Sequence, residues 1–543
     1  MPRLIRFNVR KNLPGVWRQH TALAVTLLLV SAIVAGCQLP AKPQPTSGAD
    51  TDHAPFVITE TTIARVHQAF AQSRLTCRQL VQRYIDRIQR YDKPTGLNAI
   101  VMVNPNALNR AKQLDKEYAQ TNVLRQLHCV PVILKDNFDT ADMPTSAGSM
   151  ALKNSTPPDD AFMVRQLREA GAVILAKSNM AEWAFSPYVT ISSTLGETKN
   201  AYDLERVPAG SSGGTASAVA ANFGLVGMGT DTGNSIRGPA SHLALVGIRS
   251  TIGATSRDGV VPLLLNRDVA GPMTRTVEDA ARVFAVIDDY DGNDPAMEKG
   301  KGKLPDDYLS YLKKDGLKGA RIGVLREISD TVEADPAILA LFNQAIDDMR
   351  ALGATIVDPF EVPDLMHLTA ATGFCSRFRY DINRYFQSLG ADAPVTKLKQ
   401  VVEHKQYLKS NESAMQWAMS KDVPPEQQEI PCVDVAGDPR RAALRRGVVS
   451  AMNNAHVDVV VYPTWNNPPR KIGDLESPHG NNSPIIAPHS GQPAITVPMG
   501  FTKQGLPAGL QLLGRPFSEA TLFQYAYAYE QATHHRTPPP LFQ

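Results

Sequence analysis

Apolar residues recur along this chain in two alternating rhythms, and their alternation predicts an α/β fold. Over residues 76–91, Leu80, Tyr84, Ile85 and Ile88 fall at helical spacing behind Thr76, so an amphipathic helix with a capped start is expected. Residues 129–134 (CVPVIL) form a short branched apolar run. It reads as a buried strand that stops at Lys135-Asp136-Asn137. A helix over residues 160–172, closed near Gly171, leads into a second buried strand at 172–176 (AVILA), which ends at Lys177. A helix between two buried strands is a β-α-β unit, and that implies a partly parallel sheet. Polar helices are expected around residues 335–352. The whole less legible region from about 290 to 466, with its poorly patterned stretch 400–436, reads as the place where loops and substrate selection vary.

Composition supports a folded body: 43% of residues are hydrophobic and 20% charged. A net charge of +3 gives no field to gather nucleic acid or anionic lipid, so small neutral substrates fit better and no nucleic-acid partner is expected. The N-terminus departs from this balance. Arg3, Arg6, Arg10, Lys11 and Arg18 precede the apolar run 21–36, which is the layout of an export signal. That run is shorter than the roughly 20 residues that cross a bilayer comfortably. Val34-Ala35-Gly36-Cys37 at its end resembles a bacterial lipobox, whose cysteine becomes the acylated first residue. The expected layout is a signal peptide over 1–36, lipidation at Cys37, a Pro-rich tether over 37–56, a body over 57–533 and a C-terminal tail over 534–543. Gln38 in place of Asp resembles lipoproteins sent to the outer membrane, so the expected location is the periplasmic face of that membrane in a bacterial cell envelope. Cys77, Cys129, Cys375 and Cys432 permit three pairings or none. They lack the spacing and histidines of a metal site.

Three segments carry candidate chemistry: Lys135 after its strand, the run 209–214 (AGSSGG) and the run 231–237 (DTGNSIR). A serine hydroxyl needs a neighbouring base, and lysine serves as that base in one variant of the catalytic triad. The lysine must then be neutral. Its reference pKa near 10.4 has to be depressed by burial, as expected for a lysine emerging from an apolar strand. Small residues around Ser235 would expose its hydroxyl and aim several backbone N–H groups at one point, as an oxyanion hole requires.

GSSGG followed by DTGNSIR, with PVILKDN upstream, resembles the amidase signature family at each of its catalytic segments, and Ser211 and Ser235 stand 24 residues apart as that family requires. The resemblance extends through residues 160–184, 253–279 and 491–516, and it covers roughly 57–533 as one domain. It implies a large mixed, mostly parallel β-sheet flanked by helices on both faces. It further implies hydrolysis of a small-molecule or peptide amide through an acyl-enzyme, with no metal or organic cofactor. By resemblance Ser235 is the nucleophile, Ser211 the bridging serine on a cis peptide and Lys135 the terminal base. The N–H groups of Thr232, Gly233, Asn234 and Ser235 form the oxyanion hole, and Trp183, Ala184 and Phe185 fall near the acyl pocket. Asn234 replaces the second glycine of the commoner DTGGS pattern and would add a side chain at the mouth of the site. Asp231 and Arg237 are expected to brace the loop by pairing.

Other readings compete. Residues 210–214 also fit G-x-S-x-G, which would make Ser212 the nucleophile of an α/β-hydrolase elbow, but no apolar strand precedes it. Ser310 to Lys313 fits S-x-x-K without its companion motifs. A non-catalytic envelope binding protein would not need Lys135, Ser211 and Ser235 together. A tRNA-dependent amidotransferase component of the same family would be separated from tRNA by the export signal. No motif specifies which amide is cleaved, or the oligomeric state.

Overall fold

The capped helix expected after Thr76 spans Cys77–Thr95, and it opens with a capping box between Thr76 and Gln79. This computed structural model describes residues 56–420 and 423–543, so the expected signal peptide, Cys37 and the tether up to residue 55 lie outside the described residues. The strands are β1 (Ile100–Val103), β2 (Pro131–Lys135), β3 (Val173–Ser178), the short pair β4 (Ile191–Ser192) and β5 (Gly196–Glu197), and β6 (Val226–Asp231). After them come β7 (Val246–Arg249), β8 (Val269–Thr274), β9 (Arg321–Val324), β10 (Thr355–Val357), β11 (Val459–Pro463), β12 (Ala494–Phe501) and β13 (Pro507–Leu513).

Among the described residues, eleven of these strands join one sheet in the order β1-β3-β2-β6-β8-β7-β12-β13-β11-β9-β10. It is a large mixed sheet, as expected, in which four of the ten strand pairs are parallel. Its parallel pairs lie in two blocks, β3-β2-β6 and β11-β9-β10. The six pairs outside those blocks, from β6 to β11 and at β1, are antiparallel. The β-α-β unit expected from the two apolar runs is the first parallel block, with the helix Phe162–Glu169 between β2 and β3. Every residue of β2, β3, β6, β7, β8, β11 and β13 is buried. Successive side chains of a strand point to opposite faces, so helices must cover the sheet on both sides.

A second apolar cluster forms beside the main core from Trp183, Phe378, Phe386 and Leu398, among others. Part of the region read as poorly patterned therefore supplies two helices, Leu398–Glu403 and Glu412–Met419, whose Leu398, Val401, Met415 and Ala418 join this cluster. Glu182 ties the two layers together by accepting from Leu408 N and Asn411 Nδ2, both at 2.7 Å. The four cysteines, whose pairing was open, form disulfides Cys77–Cys129 and Cys375–Cys432. Residues 534–543 are not a separate solvated tail. Arg536 pairs with Glu60 at 2.8 Å, and Phe542 is fully buried against Phe223 and Tyr91, so this segment closes the body. No helix among the described residues is long and apolar enough to cross a membrane.

Candidate active site

Lys135 is the last residue of β2, where the parallel block delivers it into the interior with no exposed surface. Its Nζ donates to Ser211 Oγ and to Thr230 Oγ1, both at 2.7 Å. Asn137 Nδ2 reaches the same threonine at 3.1 Å. Burial brings the lysine down to about 7, against the opposing pull of the Asp268 and Asp231 carboxylates. A large share of this lysine is therefore neutral near neutral pH, and in that form it can accept a proton from Ser211.

Ser211 follows a cis peptide from Gly210, as the family resemblance implied. Its carbonyl accepts from Ala181 N at 3.0 Å, and Gly210 N donates to Pro187 O at 3.0 Å, so the segment 181–187 holds this loop by its backbone. Gly214 lets the loop turn into the helix Gly213–Ala220: a Cβ there would stand 2.1 Å from Asn179 O. Ser212 sits beside this turn, fully buried, with its hydroxyl donating to Thr230 O at 3.3 Å. No strand leads into it, and that removes the elbow reading. Ser310, the other rival serine, donates to Asp307 O at 3.0 Å on the surface and meets no lysine among the described residues.

The third segment leaves β6 at Asp231. The Asp231 carboxylate meets Arg237 at 3.0 Å and Arg249 at 2.9 Å, all three fully buried. Burial alone would raise its pKa; the two guanidiniums overcome that and hold it at about 2. Arg237 also donates to Gly233 O at 2.7 Å, and Ile236 N donates to Asp231 Oδ2 at 3.3 Å. The pair braces the loop, as expected. Within the described residues no hydrogen bond occupies the N–H groups of Gly233, Asn234 or Ser235, which leaves three donors on consecutive residues. Ser235 itself is 5% exposed.

Two expectations change here. Asn234 does not project at the mouth: it is buried, and its Nδ2 donates to Pro187 O at 3.2 Å and Gly210 O at 3.4 Å. It thus joins the loop of Ser235 to the loop of Ser211, and Gly238 leaves the space it fills. Trp183 is not a pocket wall. It is 1% exposed and packs edge-on against Phe378 and Phe386, with ring centroids at 6.1 and 6.2 Å. Ala184 is also buried, whereas Phe185 is half-buried against Phe378 at 4.8 Å. Sequence reasoning missed Thr230, Asn137 and Asp268, which cluster around Lys135 and the Thr232 hydroxyl. Thr230 was visible only as the neighbour of the 231–237 run, Asn137 stood inside PVILKDN with no role assigned to it, and Asp268 carried no signal.

The Amidase family pattern matches residues 79–523, which contain all three segments. The chain belongs to the amidase family. This amidase is 36% identical to the peptide amidase of Stenotrophomonas maltophilia, whose structure superposes with a TM-score of 0.80 over 89% of this chain and 99% of that one. It is 34% identical to a protein of Arabidopsis thaliana named as a probable amidase, covering 89% of this chain and 92% of the relative. It is likewise 34% identical to a glutamyl-tRNA(Gln) amidotransferase component of Symbiobacterium thermophilum, over 88% of this chain and 98% of that relative. The chain is an amidase enzyme, which sets aside the reading as a non-catalytic binding protein.

Proposed function

We propose that this amidase hydrolyses a linear carboxylic acid amide, on a small molecule or a peptide, by acyl transfer through Ser235. Neutral Lys135, relayed through Ser211, takes the Ser235 proton as the oxygen attacks the amide carbonyl. The carbonyl π electrons move onto oxygen, and that oxyanion is received by the N–H groups of the 232–235 loop. Collapse of this intermediate breaks the C–N bond, and the leaving ammonia or amine takes the proton back through the same relay. Water then attacks the acyl ester by the same route and releases the acid. The observation that carries the proposal is the buried contact of Lys135 Nζ with Ser211 Oγ at 2.7 Å, together with a lysine brought to about 7. The likeness to a peptide amidase supports an amide on a peptide as one substrate class.

Hydroxylamine tests the intermediate. Added during turnover of primary amides, it should divert the acyl group to a hydroxamate at the expense of acid, and Ser235→Ala should form neither product. Acid release that hydroxylamine never diverts would contradict an acyl-enzyme.

The likeness to a tRNA amidotransferase component supports a second reading, in which the enzyme serves a tRNA-dependent partner. The basic and apolar leader argues against it. We infer instead that the mature protein is held in a bacterial envelope by a lipid on Cys37, on the periplasmic face of the outer membrane. Two disulfides support folding in an oxidising compartment. Metabolic labelling with a fatty-acid probe, lost in Cys37→Ser, tests the anchor.

A further inference from the structure

The helix Leu365–Thr372 ends in a segment that sets an aromatic ring over the loop of Ser235. Phe374 Cζ lies 3.9 Å from where a Cβ on Gly233 would stand, yet the side chain is 52% exposed. The ring is held in place from several sides. The buried guanidinium of Arg267 stacks on it with its carbon 4.6 Å from the ring centroid, and His489 meets it edge-on at 5.4 Å. Arg267 also donates to Thr372 O at 3.0 Å and to Gly373 O, which fixes the backbone leading to the ring. The following residue, Cys375, is bonded to Cys432. Among the described residues Arg267 makes no carboxylate pair; its partners are two carbonyls, the His489 ring at 2.7 Å and the Phe374 ring. A fully buried cation and a disulfide thus hold a large apolar ring half in solvent, beside the backbone N–H groups proposed to receive the oxyanion.

Phe374 also lines a cavity of about 500 Å³, a size typical of small-molecule sites. Trp417, Val423 and Ile430 line the same cavity and are 46%, 48% and 54% exposed. Four exposed large apolar side chains around one cavity are unusual on a protein surface unless something apolar covers them.

We propose that Phe374 and this cavity form the subsite for a bulky apolar group on the acyl side of the substrate. The preferred substrates are then primary amides of aromatic or branched aliphatic acyl groups, including peptide amides that end in such a residue. The proposal rests on the acyl-transfer reading above. The acyl part remains bound through both half-reactions and so uses apolar contact in each transition state, whereas departing ammonia has no apolar surface to bury.

The test uses the mature protein and two substrate series. In one, primary amides grow from acetyl to phenylpropionyl while ammonia stays the leaving group; in the other, acetyl amides grow from ammonia to benzylamine. Wild-type kcat/KM should rise about tenfold or more along the acyl series, the scale expected for an apolar pocket. Phe374→Ala should remove most of that rise, chiefly through KM, and Trp417→Ala part of it, with melting temperatures near wild type. An acyl preference that survives both variants overturns the subsite, as does a preference lost only along the amine series. If wild type turns over neither series and a small phosphonate fails to label Ser235, the catalytic reading falls and the subsite falls with it.

Discussion

Lys135→Met should abolish turnover and yet leave the protein more stable at neutral pH. Methionine keeps an unbranched side chain of similar length at a position without exposed surface. The folded protein holds the lysine at about 7, whereas an unfolded chain holds it near 10.4, and at 1.36 kcal/mol per pH unit the gap corresponds to about 4 kcal/mol of stability forgone at pH 7. The variant recovers this amount and loses two hydrogen bonds from Nζ, about 1 kcal/mol each, leaving a net gain of about 2 kcal/mol. Thr230 Oγ1 still receives Asn137 Nδ2 at 3.1 Å. Between about pH 7 and 10.4 the unfolded chain binds the lysine proton and the folded chain does not, so wild-type stability gains from this group as pH rises. The variant lacks that gain, so its advantage should shrink steadily above pH 7 and vanish before pH 10. Urea unfolding of both proteins at several pH values, followed by tryptophan fluorescence, measures the difference and cancels the other titrating groups. A variant less stable than wild type by the same margin at every pH would refute a lysine kept neutral by burial.

Other outcomes follow from the same geometry. The kcat/KM profile for any amide substrate should rise with pH through about 7 and be lost in acid, because only neutral Lys135 accepts the proton; Lys135→Arg, which stays charged, should show no active limb. Asp231→Asn leaves Arg237 and Arg249 buried without a carboxylate and should cost about 3–5 kcal/mol in thermal unfolding. Asp231 is held at about 2, below its ordinary value near 3.9, so the stability it contributes is complete above that value and should be lost as pH falls towards 2. Trp183→Ala should cost about 3–5 kcal/mol of stability, the loss for a buried aromatic, with a lowered melting temperature that Phe374→Ala does not share.

What was legible in the sequence was local. Lys135 and Lys177 were readable at strand ends because five or six consecutive buried apolar residues leave no other structure with that length and those branched side chains. Thr76 announced its helix because a capping box lies within four residues. The small residues around Ser235 were readable as backbone free to present its N–H groups, and those of Gly233, Asn234 and Ser235 carry no hydrogen bond within the described residues. What failed was long-range. Asn234 looks exposed as a side chain in a glycine loop; only Pro187 O and Gly210 O, brought from another segment, turn it inward. Trp183 has the composition of a pocket wall, but Phe378 and Phe386 arrive from nearly two hundred residues away to enclose it. The antiparallel middle of the sheet closes only because β7 meets β12, with Arg249 opposite Ala494, and no local pattern encodes that pairing, whereas β12 and β13 form a hairpin across residues 502–506. Phe374 sits in an irregular segment whose only sequence sign was the neighbouring Cys375.

The most direct test of the Ser235, Ser211 and Lys135 relay is adduct mapping on the purified protein with a broad serine-reactive phosphonate, comparing wild type with Lys135→Ala by peptide mass spectrometry. The account predicts a single adduct on Ser235 that forms faster as pH rises through about 7 and is lost in the lysine variant. An adduct on Ser211 or Ser212, or one on Ser235 that persists without Lys135, would contradict it.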